Sequence, residues 1–405
     1  MDIIVERGAG LDVHKKIVVA CVMGTGIKKE IRTYSTMTND LFRLKAWLKE
    51  CRITQVAMES TGVYWKPVFN ILEDAFEVIL VNARHVKNVP GRKTDVLDSE
   101  WLCKLLRSGL VRGSFIPPKE VRELRDLTRY KRKLIQTITS EKQRVEKILE
   151  DANIKLSSIA SDTFGASGKK IIEELLKGEL GPEAMAELSK GRLRKRKEEL
   201  KEALVGNVEE HHKRMIRTSL EHINAMEELF LDVEQKIREK IELHFKEEFE
   251  LLKTIPPVKD AASVIIAEMG VNMDCFPTEA HLSSWAGMSP GNNESAGKKK
   301  SGATTHGNVY LKTILTEFAW LASKMKGTYL WSKYQSLIGR KGKKKTLVAV
   351  GHKILISAYQ VLKYRVPYKE LGANYLDKRK KERIARSYIK RLTSLGYAVT
   401  LNEVA

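Results

Sequence analysis

Residues 10–23 read GLDVHKKIVVACVM, a β-branched and apolar run that contains a carboxylate at Asp12. This pattern predicts a β-strand from Leu11 to Met23, and Ile27–Tyr34 is expected to pair back onto it after a glycine turn. A carboxylate in so apolar a strand is costly to bury without a partner. Asp12 is therefore the first candidate functional residue, and the alternative is an acid in a turn or on an edge strand.

Up to about residue 110 the chain alternates between short strands and helices. The elements predicted after the first two strands are helix Leu41–Glu50, strand Ile53–Met58, helix Val63–Asp74, strand Glu77–Val81 and helix Asp95–Ser108. Strands that alternate with helices predict an α/β domain. In open sheets of this kind, ligands meet side chains at the ends of strands.

Three more acids lie near element ends in this region. Glu59 follows the third predicted strand, and Asp95 and Asp98 lie three residues apart on one face of a helix. With Asp12 they supply four hard oxygen donors, which suit Mg²⁺, with Mn²⁺ as a second candidate. Two such ions can drive phosphodiester displacement. The structural alternatives are a capping role for Glu59, an N-cap for Asp95 and a helix-dipole interaction for Asp98.

The charge balance predicts a polyanionic partner. The chain has 405 residues with 72 Lys+Arg against 51 Asp+Glu, a net charge of +21. Nucleic acid is the first candidate and an anionic membrane the second. The longest apolar run, Ile17–Met23, is far shorter than the ~20 residues of a membrane span. With no apparent leader and no CxxC pair, we expect a cytoplasmic protein without a disulfide framework, associated with the nucleoid when it is bound to DNA.

The middle of the chain is helical and densely charged. Residues 119–152 and Ala225–Leu252 carry apolar stripes that predict long helices of the coiled-coil or helical-hairpin type. The second helix is expected to pair either with the first or with a second subunit. A homo-oligomer, dimer or tetramer, is the assembly expected from such arms.

A new domain is predicted to begin near residue 251. Pro256 and Pro257 end the preceding helix, and Ala261–Met269 is a short apolar helix. This layout is typical of a helix-hairpin-helix, which presents backbone N–H groups to DNA phosphates. Because proline lacks an N–H donor, a plain structural turn is the alternative.

A glycine- and lysine-rich loop follows, with residues 291–302 reading GNNESAGKKKSG. From Ser295 to Lys353 there are thirteen Lys and Arg residues and one acid, Glu317. Such a surface with interleaved aromatics suits nucleic acid, and the alternative is a solvated basic loop. Ser295, Ser301, Thr304 and Thr305 are candidate nucleophiles or phosphate contacts. The candidate nucleic-acid-binding residues are Lys298, Lys299, Lys300, Lys312, Arg340, Lys341, Lys343, Lys344 and Lys345.

Four strings together resemble a known family. They are GLDVHK at 10–15, MESTG at 58–62, KTDVLD at 93–98 and WAGMSP at 285–290 within the segment Ile255–Leu311. They are similar to the DEDD transposases of insertion sequences, the family numbered one hundred and ten with its eleven-eleven subgroup. The resemblance implies a RuvC-like, RNase H-type N-terminal domain. It also implies that Asp12, Glu59, Asp95 and Asp98 are catalytic acids that bind Mg²⁺.

The same resemblance implies a catalytic serine in a Ser-x-Gly-x-Lys string. Ser295 fits that string, whereas Ser301 is followed by a glycine but no lysine. The family further implies a structured guide RNA encoded by the element. Two departures are Pro257, where the usual hairpin has glycine, and Lys312, near a position where many relatives have arginine; a lysine offers a point charge but no bidentate fork.

The resemblance yields a complete domain prediction. Residues 1–115 form an α/β RNase H-like (RuvC-like) catalytic domain, and residues 116–250 form a long helical coiled-coil arm with an insertion. Residues 251–365 form a mostly α-helical C-terminal transposase domain with the helix-hairpin-helix-like element and the serine, and residues 366–405 form a basic peripheral tail. The predicted activity is cleavage and rejoining of DNA strands by a transposase. The alternatives are a metal-only nuclease such as a Holliday-junction resolvase, and a non-enzymatic nucleic-acid-binding protein.

Overall fold

The computed structural model describes residues 4–59, 62–81, 98–111, 113–291, 293–295, 298–301, 303–379 and 381–400. The chain separates into two compact units, Met1–Ile116 and Pro117–Ala405. The first unit contains a mixed sheet, and the second is mostly helical. A finer division with boundaries at 115, 250 and 365 stays a prediction.

The first unit is built on a five-stranded sheet with the order β3-β2-β1-β4-β5. Its strands are β1 Arg7–Val13, β2 Ile17–Gly24, β3 Ile27–Ser35, β4 Gln55–Glu59 and β5 Glu77–Val81. Strand β1 pairs antiparallel with β2 and parallel with β4, and β4 pairs parallel with β5. This mixed sheet with flanking helices is compatible with the predicted RNase H-like fold.

The prediction of one strand from Leu11 to Met23 is wrong, because the run folds as a hairpin. Strands β1 and β2 pair with Val13 opposite Val18, and the backbone N–H of His14 donates to the carbonyl of Ile17 at 2.9 Å. The three polar residues between the apolar halves form the turn. The predicted pairing of the following strand is confirmed by the antiparallel register of β2 with β3.

Helices cover both faces of this sheet. They are α1 Thr38–Glu50, α2 Trp65–Leu72 and α3 Asp98–Arg107. Leu11, Val56 and Met58 bury one face against α1 and α2. The opposite face is covered by α3, and a Cβ atom added at Gly10 would lie 2.1 Å from the carbonyl oxygen of Ser99. Glycine is therefore required at position 10 by the close approach of helix and strand.

The second unit begins with a helical hairpin, the arm, formed by α4 Lys119–Asp151 and the later helix α9 Glu210–His244. Ion pairs join the helices at Glu123–Lys240 (2.5 Å) and Lys131–Glu234 (2.7 Å). Because the numbers of the paired residues change in opposite directions, the helices are antiparallel. Of the two pairings expected for the arm, the structure shows the one within the chain.

The predicted helix Ala225–Leu252 begins earlier and is interrupted. Helix α9 starts at Glu210 and ends at His244, and a separate helix, α10 Lys246–Lys253, follows. Phe245, between them, is buried. The first turns of α9 are rich in charged residues, which a long exposed helix tolerates. The apolar pattern therefore did not predict where this helix begins.

Between the arm helices the chain forms a small arm-end subdomain, residues 152–208. Its helices are α5 Leu156–Ile159, α6 Ala166–Lys177, α7 Pro182–Glu187 and α8 Lys197–Ala203. A hydrophobic core joins Ile171, Ile172 and Leu200 to Val145 and Leu149 of α4. The far end of the arm is therefore fixed to a folded body.

The rest of the second unit is a helical body with one small hairpin. Its elements are α11 Ala262–Met269, α12 Glu279–Trp285, β6 Asn293–Ser295, β7 Lys298–Ser301, α13 Val309–Ala322, α14 Tyr329–Lys341, α15 Lys343–Tyr364, α16 Tyr375–Arg379 and α17 Lys381–Ser394. Leu311, Phe318 and Ile354 are buried in it. No helix in the described part of the chain has the length and apolarity needed to span a membrane.

Candidate active site

Two of the predicted acids lie on neighbouring parallel strands. Leu11 of β1 is in register with Met58 of β4, so one further step along each strand reaches Asp12 and Glu59. Side chains alternate between faces along a strand, and these two carboxylates therefore share a face. It is the face that α3 covers, because Gly10 lies two residues before Asp12 and meets Ser99.

Asp98 is the first residue of α3, next to Ser99. The contact of Gly10 with Ser99 places the start of α3 over β1. Asp12, Glu59 and Asp98 consequently come to the same end of the same sheet face, whereas Asp95 lies outside the described residues. Among the described residues, no three His, Cys, Asp or Glu side chains form a group that could hold a metal ion.

Asp12 is well shielded, with 18% of its side chain exposed. Its Oδ2 lies 3.1 Å from Nε2 of His14. It belongs to β1, which has strands on both sides, so the alternative of an acid in a turn or on an edge strand is wrong. A shielded carboxylate on a central strand is the kind of group that a cation stabilises.

Glu100, in the first turn of α3, has a different environment. Lys104 Nζ lies 2.7 Å from its Oε1 and Lys29 Nζ 3.3 Å from its Oε2. The hydrogen bond from Lys104, with a second from Lys29, lowers the pKa of Glu100. Its negative charge is thus already compensated, which makes it a structural ion pair rather than a candidate ligand.

Two cysteines that are far apart in the sequence meet beneath α3. Cys21 and Cys103 are fully buried, and the Cys103 thiol donates to the carbonyl of Gly8 at 3.1 Å. A hydrogen bond with Cys21, together with burial, raises the pKa of Cys103 well above its usual range. Cys103 therefore stays a neutral thiol and packs α3 against the sheet.

The predicted nucleophile lies on the small hairpin. In β6 and β7, Ser295 pairs with Lys298 and Asn293 pairs with Ser301. Ser295 is thus at the turn end of the hairpin and Ser301 at its base. For Ser295 and for Lys298, Lys299 and Lys300 the structure describes the backbone, and their side chains lie outside the described part.

The base of the hairpin is built by backbone contacts. Gly291 N–H donates to the carbonyl of Ala303 at 2.9 Å, and Thr305 N–H donates to that of Ser289 at 3.2 Å. Lys312 Nζ donates to Thr304 Oγ1 at 2.5 Å. The ammonium of Lys312 is therefore held beside the hairpin base, where a point charge can meet a phosphate.

A buried carboxylate that the sequence analysis missed lies behind this base. Glu268 of α11 is fully buried and accepts two hydrogen bonds from Arg129 of α4, at 2.8 and 2.7 Å. Asn308, the N-cap of α13, donates to Glu268 at 2.6 Å. The hydrogen bond with Glu268 raises the pKa of Arg129. The network joins the arm to the start of α13, which directly follows the hairpin.

A basic groove of about 1130 Å³ opens between the hairpin base and helices α14 and α15. Its lining in the described chain contains no acid. The basic lining residues are Lys333, Arg340, Lys341, Lys344, Lys345, His352 and Lys353. Arg340, Lys341, Lys344 and Lys345 were predicted from sequence, whereas Lys343 and Lys312 do not line the groove. Burial, and secondarily Lys353, lowers the pKa of His352.

Comparison with known families identifies the chain. A model of DEDD transposases of the IS110 type, described as "Transposase", matches residues 9–154, which include all four predicted acids. A second, described as "Transposase IS116/IS110/IS902 family", matches residues 249–335, which include Ser295 and Glu268. No curated protein matches the chain. The two matched segments together span more than half of the sequence, and the chain is a DNA transposase of the IS110 family.

Proposed function

We propose that this transposase cuts and rejoins DNA strands with metal-binding acids and a serine nucleophile. Asp12, Glu59, Asp95 and Asp98 of the first unit hold a divalent metal, and Ser295 of the second unit is the nucleophile. The observation that carries the proposal is the placement of Asp12, Glu59 and Asp98 at one end of one sheet face. That end falls within the segment that matches the DEDD transposases.

The residues present fit the metal by their chemistry. Carboxylate oxygens are the donors that Mg²⁺ and Mn²⁺ prefer. Asp12 is shielded and has a single histidine beside it, so its carboxylate can accept a cation. When bound, the metal supplies Lewis-acid polarisation of the scissile phosphate. The strands fix the positions of Asp12 and Glu59, and the packing of α3 on Gly10 fixes that of Asp98.

In the proposed step, Ser295 Oγ attacks the phosphorus of a phosphodiester. The new O–P bond forms as the bond to the leaving deoxyribose oxygen breaks; a base takes the serine proton and the leaving oxygen gains one. A strand hydroxyl then attacks the same phosphorus and releases the serine, which rejoins the DNA. Lys298 and Lys299 neutralise charge as it develops. Support comes from the Ser-x-Gly-x-Lys string and from the backbone register that pairs Ser295 with Lys298.

The partners of this site are proposed from the charged surfaces. The basic groove takes the phosphate backbone of DNA or of an element-encoded guide RNA, since both present the same charge pattern. The turn at Pro256–Pro257 is proposed to contact DNA as a helix-hairpin-helix. A homo-oligomer, dimer or tetramer, is proposed to assemble through coiled-coil contacts of the arms.

The metal site is tested by Asp12→Asn, which keeps the shape of the side chain and removes its charge. With element-end DNA, an RNA transcribed from the element and Mg²⁺, we expect strand cleavage to fall by about 10²–10³-fold because a ligand is lost. DNA binding, measured by fluorescence anisotropy, should stay within about twofold.

The matched control is Asp74→Asn, the same exchange at an exposed acid paired with Lys45 in the same unit. It should cleave like the wild type. Cleavage by Asp12→Asn at the wild-type rate, at every Mg²⁺ concentration, would remove Asp12 from the metal site.

The basic groove makes a prediction about pH. His352 is neutral at pH 7.5 because burial lowers its pKa, and a phosphate bound in the groove favours the protonated ring. DNA binding should therefore take up a proton and tighten as pH falls from 7.5 to 5.5. We expect His352→Gln to lose about tenfold of that gain, read from anisotropy titrations at constant ionic strength.

The control for this effect is His281→Gln, which replaces an exposed histidine hydrogen-bonded to Thr278 on α12. It should keep the pH dependence of the wild type. Identical pH profiles for His352→Gln and the wild type would show that His352 does not face the bound phosphates.

A further inference from the structure

The arm-end subdomain carries a basic surface that the proposed site does not use. Between Glu187 and Glu198 the ten residues LSKGRLRKRK include six cations and no acid. Four of these cations, which we name the cationic turn, are exposed: Lys190, Arg192, Arg194 and Lys195. Their side chains form no ion pair or hydrogen bond with a described residue, so four positive charges face solvent together.

The neighbouring cations, in contrast, are paired with acids. Arg196 pairs with Glu199, Lys197 with Glu187 and Lys201 with Glu183. The acids of the subdomain thus neutralise the cations that follow the cationic turn and leave the turn itself uncompensated. A surface that were merely solvated would be expected to mix both signs, as the adjacent segment does.

The backbone of the cationic turn is held in place. Lys190 N–H donates to Ser167 Oγ at 2.9 Å, and Leu193, in the middle of the turn, packs against the arm-end core. Ser189, just before it, is buried. Because the chain is already ordered, a partner would have to restrict only the side chains, which lowers the entropic cost of binding.

The cationic turn also lies at the opposite end of the arm from the Glu268 network. Helix α4 is anchored to Glu268 through Arg129 and to the arm-end core through Leu149. Twenty residues of helix separate these two anchors, a rise of about 30 Å. A polyanion that extends along the whole arm must carry negative charge over about this length, roughly nine base pairs of duplex, which a nucleic-acid duplex does and a small anion does not.

We propose that the cationic turn is a second binding site for the phosphate backbone of duplex nucleic acid, remote from the active site. The chemistry is shared by element DNA and by helical segments of an RNA. The site requires neither the metal nor Ser295, so it can fail or succeed independently of the proposed function.

The test uses the full chain with Lys190→Gln, Arg192→Gln, Arg194→Gln and Lys195→Gln combined. Binding to a 30-base-pair DNA duplex and to a 30-base-pair RNA duplex is measured by anisotropy from about 50 to 300 mM salt. We expect the slope of log K against log salt to become shallower by about 3 for the duplex that uses the turn. At about 150 mM salt, affinity for that duplex should fall by about 10–100-fold.

The control combines Arg196→Gln, Lys197→Gln and Lys201→Gln, the paired cations of the same subdomain, and should shift the slope by less than 1. A loss on DNA alone, on RNA alone or on both supports the site and identifies the source of its phosphates. If the turn variant matches the control on both duplexes, the proposal is overturned. Circular dichroism of both variants should equal that of the wild type, because all the substituted residues lie on the surface.

Discussion

Ser295→Ala is expected to abolish the covalent protein–DNA adduct. Wild-type protein incubated with end-labelled element DNA, the element's RNA and Mg²⁺ should give a labelled band of protein size on a denaturing gel, and the variant none. Without Oγ no O–P bond to the protein can form, and strand transfer should fall by about 10⁴-fold or more. Strand β6 pairs with β7 through main-chain atoms, so the fold should persist.

Ser301→Ala is the matched control, since it removes the same atom from the base of the same hairpin. It should form the adduct at the wild-type level. Strand transfer by Ser295→Ala equal to that of the wild type would contradict the serine mechanism. Cleavage by the wild type without any adduct would instead favour the metal-only nuclease.

Glu268→Ala is expected to destabilise the second unit by about 3–5 kcal/mol, because it leaves the guanidinium of Arg129 and the amide of Asn308 without their shared acceptor. The loss of stability should be greatest in the segments next to the Glu268 network. Amide hydrogen exchange followed by mass spectrometry should accelerate in peptides from α11, from the start of α13 and from the middle of α4.

Glu247→Ala is the control, because Glu247 pairs with Arg365 on the surface. Both partners are exposed, and the loss should be below about 1 kcal/mol. Equal exchange rates in the two variants would show that the Glu268 network contributes no more than a surface pair.

Two of the candidate acids could be located on their strands from sequence. Asp12 and Glu59 stood out as carboxylates within or directly after apolar strands, which is a local signal. Their adjacency depends on β1 and β4 being parallel neighbours, a topology that no short pattern contains. The hairpin between β1 and β2 was missed because three polar residues within a long apolar run looked like part of one strand.

Long-range contacts explain what else was missed. Glu268 is the only charge in the apolar helix α11, a signal like that of Asp12, but its partner Arg129 lies 139 positions away. Lys333 and Lys353 are isolated cations in the sequence, and the packing of α14 and α15 brings them to the groove. The dense run of cations in the sequence predicted Arg340 and its neighbours. The cations that stand alone in the sequence could be assigned to the groove only from the fold.

The close packing of α3 on Gly10 limits which substitutions this enzyme can tolerate. At Gly10, helix and strand contact each other through main-chain atoms, so no flexible side chain lies between them that could adjust. A single methyl group added at position 10 would clash with α3 and tilt this helix, which begins with Asp98. The proposed metal preference is therefore better altered by exchanging the candidate acids themselves than by adjusting the spacing beneath them.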